Sequence, residues 1–125
     1  MCIRDSACAL DFIYVSENAR FAQTEVKLGI IPGAGGTQTL SRAVGARRAK
    51  ELILSGRTFT AQEAMQWGMA NEVLPQADLL PKALATAEAI AANAPIAVRQ
   101  ALQAITKGTQ TVSYTHLTLP TNREE

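Results

Sequence analysis

Apolar and polar residues follow one another in a pattern that predicts short strands first and helices afterwards. "DFIYV" (residues 11–15) is rich in β-formers and mostly apolar, as in a strand buried on both faces. The polar "SENA" predicts a turn, and "RFAQ" predicts a second extended segment. The breaker "PGAGG" (32–36) then precedes "TQTLSRAV" (37–44), in which Leu40 and Val44 are spaced as on one face of a helix.

The next segment predicts two helices that end at glycines. In "ARRAKELILSG", Ala46, Ala49 and Ile53 form one apolar stripe, and Gly56 stands where a helix C-terminal glycine belongs. "TAQE" (60–63) has the pattern of a capping box, in which the threonine and the glutamate satisfy each other's free backbone N–H groups. It predicts a short helix that ends at Gly68.

The remaining sequence predicts one strand and two longer helices. "ANEVLP" supplies a short strand. Asp78 is then a candidate N-cap, and Pro81 falls in the first turn of an alanine-rich helix that ends near Asn93. A last helix, "PIAVRQALQAITKG" (95–108), begins at Pro95, and its predicted apolar face consists of Ile96, Ala97, Ala101, Ala104 and Ile105.

Composition predicts a single packed domain without a strong preference for charged partners. Of the 125 residues, 47% are hydrophobic and 18% are charged, and the net charge is +1. Apart from Arg47 and Arg48 the basic residues are scattered, which argues against DNA or RNA as a partner. The sequence has neither an apolar run of ~18 residues nor a secretory signal. We therefore expect a cytoplasmic protein without a membrane partner, in which Cys2 and Cys8 are free thiols.

The two ends do not continue the pattern of their neighbours. "MCIRDS" (1–6) and "VSYTHLTLPTNREE" (112–125) resemble translated sequencing-adapter sequence, which predicts that residues 7–111 are the natural protein, cut on both sides. An ordinary disordered tail at each end is the alternative interpretation. His116, the only histidine, lies in the second of these segments and is assigned no role.

Two features between residues 24 and 40 suggest chemistry. "GAGGTQ" suggests a phosphate loop, but no Lys-Ser/Thr pair follows it, and Gln38 stands where G-x-G-x-x-G needs a glycine. Glu25 lies among Val26, Leu28, Ile30 and Ile31, an environment that favours a neutral carboxyl group and so suits proton transfer. An exposed glutamate at a strand end, or one paired with the nearby lysine, fits the same pattern.

The segment from "FAQTEVKLGIIPGAGGTQ" through "AKELILSGR" to "AQEAMQWGMAN" resembles the enoyl-CoA hydratase/isomerase (crotonase) family. The resemblance covers about residues 7–107, with Thr24 where proline often precedes the glutamate. It implies an α/β, ClpP/crotonase-type ββα spiral, of which 7–75 would be the C-terminal part. Residues 76–111 would then be a helical trimerisation region. The intact protein would be a homotrimer or hexamer.

The resemblance also implies chemistry on acyl-CoA thioesters, with no cofactor, because coenzyme A is part of the substrate. Glu25 matches the second of two hydratase glutamates, which acts as acid or base, and Gly33 matches a position whose N–H orients the reacting water. The position of the first glutamate falls on Asp5, inside "MCIRDS", and we carry no role to it. Because that glutamate and the oxyanion groups are missing, the chain itself is expected to be an inactive fragment.

Other residues give weaker signals. Trp67 is interpreted as a core residue, and Arg47, Arg48 and Lys50 as a solvated helix face, with contact to coenzyme A phosphates as the alternative. Leu102 occupies a place where family members often carry a lysine. Hydration of a 2-enoyl-CoA is the first hypothesis and double-bond isomerisation the second. RNA binding and a purely structural assembly module are hypotheses from other classes.

Overall fold

The computed structural model describes residues 9–33 and 35–114, which form short strands, one 3-10 helix and longer α-helices. In chain order these are β1 (Tyr14–Ser16), β2 (Arg20–Ala22), the 3-10 helix (Glu25–Leu28), α1 (Gly36–Val44), α2 (Ala46–Ser55), β3 (Thr58–Thr60), α3 (Ala61–Gln66), β4 (Glu72–Leu74), α4 (Gln76–Ala91) and α5 (Pro95–Tyr114). The predictions for Cys2, Asp5, Cys8, His116 and residues 1–6 lie outside the described residues, as does most of 112–125.

The chain divides into two compact units, Met1–Ala83 and Leu84–Glu125, and the division falls within α4. The first unit contains two small sheets. In one, β1 pairs parallel with β4, with Val15 opposite Val73. In the other, β2 pairs antiparallel with β3, with Phe21 opposite Phe59. The predicted boundary at residues 75 and 76 stays a prediction.

The core of the first unit lies under α1, α2 and α3. Its most deeply buried large side chains are Phe59, Leu40 and Leu52, and alanines of α2 and α3 are fully buried beside them. The Phe59 ring stacks on Phe21 at 5.4 Å and lies 5.5 Å from the ring of Trp67. Trp67 therefore packs against the core, as predicted, and an aromatic cluster joins the β2–β3 sheet to α3.

A capping box begins α3, as the sequence predicts. The Thr60 hydroxyl accepts a hydrogen bond from the Glu63 N–H at 3.1 Å, and the Thr60 N–H donates to the Glu63 carboxylate at 2.8 Å. Each side chain thus satisfies a backbone donor that the helix start leaves open. Arg57 donates to Glu63 at 3.3 Å and to Glu51 at 2.7 Å, which ties the end of α2 to the start of α3.

Replacing Thr60 by alanine should destabilise the chain by about 1 kcal/mol, because the Glu63 N–H loses its acceptor at the start of α3. Urea unfolding of the 125-residue chain measures this difference. Thr60→Ser keeps the hydroxyl and serves as the control. Equal losses in both variants would contradict a capping contribution.

Acid should weaken the fold through Glu63. The hydrogen bond from the Thr60 N–H, and then the Arg57 guanidinium, hold the pKa of the Glu63 carboxyl below its usual 4.5, against an opposing effect of burial. Stability from this lowered pKa is present above pH 4.5 and is lost as the pH falls through the folded-state pKa. Glu63→Gln keeps a capping side chain without the charge, so its melting temperature should fall less on acidification than that of the parent. Parallel curves would contradict the prediction.

Several sequence predictions are corrected in the strands. The strand predicted at 11–15 begins only at Tyr14, and of its residues only Val15 is buried, because β1 has a single partner strand among the described residues. β3 was not predicted, since it has only three residues and the last of them, Thr60, begins the capping box. The remaining strand predictions, "RFAQ" and "ANEVLP", are confirmed as β2 and β4.

The helices carry further corrections. In α2 the buried residues are Ala49 and Leu52, whereas Ala46 is exposed because it begins the helix. Asp78 is not an N-cap: α4 begins at Gln76, so Asp78 lies in its first turn and Pro81 beyond that turn. The predicted C-terminal glycine at Gly56 is confirmed, with a left-handed φ of 59°.

The last helix is longer and less buried than predicted. α5 continues to Tyr114, beyond the predicted end near residue 108. Its predicted apolar face is exposed: Ile96 is 74% and Ile105 66% accessible. Helical spacing aligned these residues correctly, but nothing among the described residues covers them.

Candidate functional site

The strand β2 fixes the position of Glu25. The pairing of β2 with β3 and the Phe21–Phe59 stack fix the end of the strand, and Gln23 and Thr24 lead directly from it into the 3-10 helix. Glu25 is the first residue of that helix and is half-buried, with its Oε2 atom out of solvent. A carboxylate oxygen in such a place is positioned by the fold rather than by solvent.

The 3-10 helix is closed by its own backbone. The Lys27 N–H donates to the Thr24 carbonyl at 2.9 Å, and the Ile30 N–H returns to the Glu25 carbonyl at 3.3 Å. Gly29 ends the helix with φ 73°, a left-handed conformation that favours glycine. The helix packs against α2, where a Cβ on Gly56 would lie 2.8 Å from Lys27 Cε. Hydrogen bonds within the 3-10 helix and its packing against α2 therefore fix the backbone of Glu25.

The apolar residues beside Glu25 do not enclose it as the sequence predicts. Leu28, Ile30 and Ile31 are 78%, 57% and 83% accessible, and Val26 is only half-buried. Val26 and Leu28 lie in the helical turn, which distributes successive side chains around its axis instead of gathering them on one face, and Ile30 and Ile31 follow the end of that helix at Gly29. These residues form an exposed apolar rim next to Glu25.

The glycine turn uses most of its backbone donors internally. The Gly36 N–H donates to the Gly33 carbonyl at 2.9 Å, and the Gln38 and Thr39 N–H groups both donate to the Gly35 carbonyl. Those three N–H groups are therefore not aimed at an external phosphate, which supports the rejection of a phosphate loop. Gly33 itself is exposed, and its N–H donates to no other residue in the described part of the chain.

Sequence reasoning missed Gln23. This side chain is 1% accessible, and neither its Nε2 nor its Oε1 has a hydrogen-bond partner among the described residues. The alternation of side chains along an extended segment could have identified it. Residues 21 and 23 are two positions apart and point to the same face, and Phe21 packs against the core. A buried amide two residues from Glu25 belongs with the candidate site.

The basic residues of α2 lie apart from Glu25. Arg47, Arg48 and Lys50 are exposed, as predicted for a solvated face, but Arg48 also covers the Trp67 ring at 4.7 Å. A cleft of about 520 Å³ next to the start of α2 is lined by Val44, Gly45, Ala46, Arg47, Arg48 and Glu51. Neither Glu25 nor Gly33 lines it.

The described residues contain neither a cluster of metal ligands nor a membrane-spanning helix. No group of three or more His, Cys, Asp or Glu side chains there forms a possible metal site. No helix within residues 9–33 and 35–114 is long and apolar enough to cross a membrane. Leu102, at the position where family members often carry a lysine, lies on α5. Lys107 lies on the same helix, more than one turn further along.

Comparison with known proteins gives consistent matches. Residues 5–122 match the family model described as enoyl-CoA hydratase/isomerase. The chain is 50% identical over 105 residues to a putative enoyl-CoA hydratase/isomerase of Bacillus subtilis, covering 84% of this chain and 40% of that protein. It is 46% identical over 104 residues to the short-chain-enoyl-CoA hydratase of Clostridium acetobutylicum, covering 83% and 40%.

A solved structure agrees with these matches. The crystal structure of an enoyl-CoA hydratase from Bacillus anthracis superposes with a TM-score of 0.81 at 50% identity, covering 88% of this chain and 43% of that one. The chain thus spans about two fifths of the length of these relatives. A crotonase-like fold accounts for the described elements.

Proposed function

Since this chain belongs to the enoyl-CoA hydratase/isomerase family, we propose that it supplies the proton-transferring glutamate of a site that hydrates a 2-enoyl-CoA thioester. The observation that carries the proposal is the place of Glu25: half-buried, with Oε2 out of solvent, at a point fixed by β2 and by a closed 3-10 turn. Preorganised carboxyl groups of this kind contribute to proton transfer because they need no rearrangement during the reaction.

The proposed reaction adds one water across the double bond. The water oxygen bonds to the β-carbon, the α-carbon receives a proton, and the carbon–carbon π bond is lost. Glu25 acts as the acid or base at this alkene. The Gly33 N–H, which is exposed and makes no bond to the described residues, donates to the reacting water. No cofactor takes part, because the thioester itself accepts the negative charge that develops at its carbonyl oxygen.

The rest of the site would come from outside the described residues. Relatives are about two and a half times as long as the segment they share with this chain, so the first of the two glutamates and the oxyanion donors are assigned to the remaining length. We therefore expect the 125-residue chain alone to be inactive. Removal of one oxyanion donor typically lowers the rate about 10²- to 10³-fold.

Isomerisation of a 3-enoyl-CoA is the second candidate function. It is supported by the similarity to the Bacillus subtilis relative, a putative enoyl-CoA hydratase/isomerase. Moving a proton between two carbons of the same substrate needs only one carboxyl group, and Glu25 suffices for it. RNA binding is not proposed, since Arg48 is engaged with Trp67 and the basic cluster is small.

The assembly and compartment form part of the same proposal. We assign the intact protein to a homotrimer or hexamer in the cytoplasm. The exposed apolar residues Ile96, Leu102 and Ile105 on α5 support an interface there, because water contact with such a face is unfavourable.

The experiment that tests the function uses the protein encoded by the complete source gene, amplified across both ends of this sequence. Crotonyl-CoA is supplied, and the loss of absorbance of the conjugated thioester is followed. The expected result is hydration. A well-folded protein that is silent on crotonyl-CoA but forms the conjugated thioester from a 3-enoyl-CoA would replace hydration by isomerisation, and silence on both would overturn the proposal.

A further inference from the structure

A buried amide without a partner is the feature of this fold that the proposed function leaves unexplained. Gln23 is the buried polar residue of the described core, at 1% accessibility, and both of its side-chain polar atoms lack hydrogen bonds among the described residues. Leaving a buried amide unpaired destabilises a fold, and native proteins nearly always pair such groups. The amide therefore has a partner that is not among the described residues.

Gln23 cannot relieve this cost by turning toward solvent. The pairing of Ala22 with Thr58 and the Phe21–Phe59 stack hold the backbone just before it, and the closed 3-10 turn holds the backbone just after it. An apolar side chain of the same length would fill this space without any unpaired group. The position thus holds a polar side chain at a cost to the stability of the described part.

The position also determines what the amide can reach. Gln23 and Glu25 are separated by one residue, a distance of at most about 7 Å along the backbone. Both have buried side-chain polar atoms, namely Nε2 and Oε1 of Gln23 and Oε2 of Glu25. A buried water typically has two to four such polar partners, and an amide offers both donors and an acceptor to it.

We propose that the Gln23 amide binds the reacting water beside Glu25 and so orients it for addition to the enoyl group. This inference rests on the proposed function. In this inference two groups bind the water, the Gln23 amide and the Gly33 N–H. Glu25 transfers the proton. An oriented water loses less entropy in reaching the transition state, which raises kcat.

The test uses the complete gene product with Gln23→Met, which keeps the length of the side chain but removes its donors and acceptor. Losing one hydrogen bond to the water should lower kcat roughly 3- to 10-fold, with KM for crotonyl-CoA nearly unchanged, because the thioester is bound elsewhere. The melting temperature should not fall, since an apolar group replaces a buried amide. Gln62→Met, at an exposed position of α3, is the matched control and should change neither quantity.

The outcomes separate this inference from the function on which it rests. An active parent protein whose kcat is unaffected by Gln23→Met overturns the inference alone. A Gln23→Met protein with a lower melting temperature and a normal kcat per folded molecule shows that the amide pairs with another part of the protein, and this also overturns it. A parent protein without hydratase activity overturns both.

Discussion

Glu25→Gln in the complete gene product should lower kcat for hydration of crotonyl-CoA by roughly 10²- to 10⁴-fold. Glutamine has the shape of the carboxylate and fits the half-buried position at the start of the 3-10 helix. It cannot give or take a proton at the alkene, however. The loss should therefore appear in kcat, while the melting temperature stays close to that of the parent, and both are measured on the same preparation.

A matched variant separates this role from a general effect of charge. Glu17 lies in the turn after β1, is exposed, and is also a single carboxylate. Glu17→Gln should leave kcat unchanged, because it removes the same charge at an exposed turn position outside the proposed site. If Glu25→Gln retains more than about a tenth of the parental rate, proton transfer by Glu25 is wrong and another group must carry it.

Local signals predicted the start of α3 and the end of α2, although they missed the starts of β1 and α4 and the end of α5. The capping box at Thr60 and Glu63 and the left-handed glycine at Gly56 both occur as predicted. Each depends on backbone groups within one helical turn, so the residues that decide the geometry are adjacent in sequence.

Features that depend on distant partners could not be predicted in the same way. β3 exists because Phe59 pairs with Phe21, thirty-eight positions earlier, and a three-residue strand has no pattern of its own. Whether the apolar face of α5 is buried depends on which surface meets it, and helical spacing carries no information on that. The inward orientation of Gln23 likewise follows from the register of β2.

The candidate site needed both kinds of information. Hydrophobic spacing alone was consistent with three interpretations of Glu25: a proton-transferring acid, an exposed residue at a strand end, or an ion-pair partner of Lys27. The family resemblance singled it out, and the fold of that family is now supported over nearly the whole chain. The structure adds the closed turn that holds Glu25 and the buried amide before it, neither of which a motif contains. Their roles in catalysis stay predictions.

The aromatic cluster behind this site should dominate the stability of the first unit. Phe59 is 1% accessible and contacts both Phe21 and Trp67, so Phe59→Ala removes the ring that joins the β2–β3 sheet to α3. Deletion of a buried phenylalanine ring costs about 3–5 kcal/mol, from lost burial and from the cavity that remains. This is a large share of the 5–15 kcal/mol that typically stabilises a domain.

Urea unfolding of the 125-residue chain, followed by Trp67 fluorescence, reports on this loss because the tryptophan lies 5.5 Å from the deleted ring. Phe12→Ala is the matched control: Phe12 is 44% accessible and makes its ring contact with Tyr14, so its loss should be well under half as large. Since β2 ends one residue before Gln23, loosening of its pairing should also displace Glu25. If Phe59→Ala and Phe12→Ala lowered the free energy of unfolding equally, the β2–β3 sheet would not depend on this cluster. The position of Glu25 would then have to be fixed by the packing of the 3-10 helix against α2.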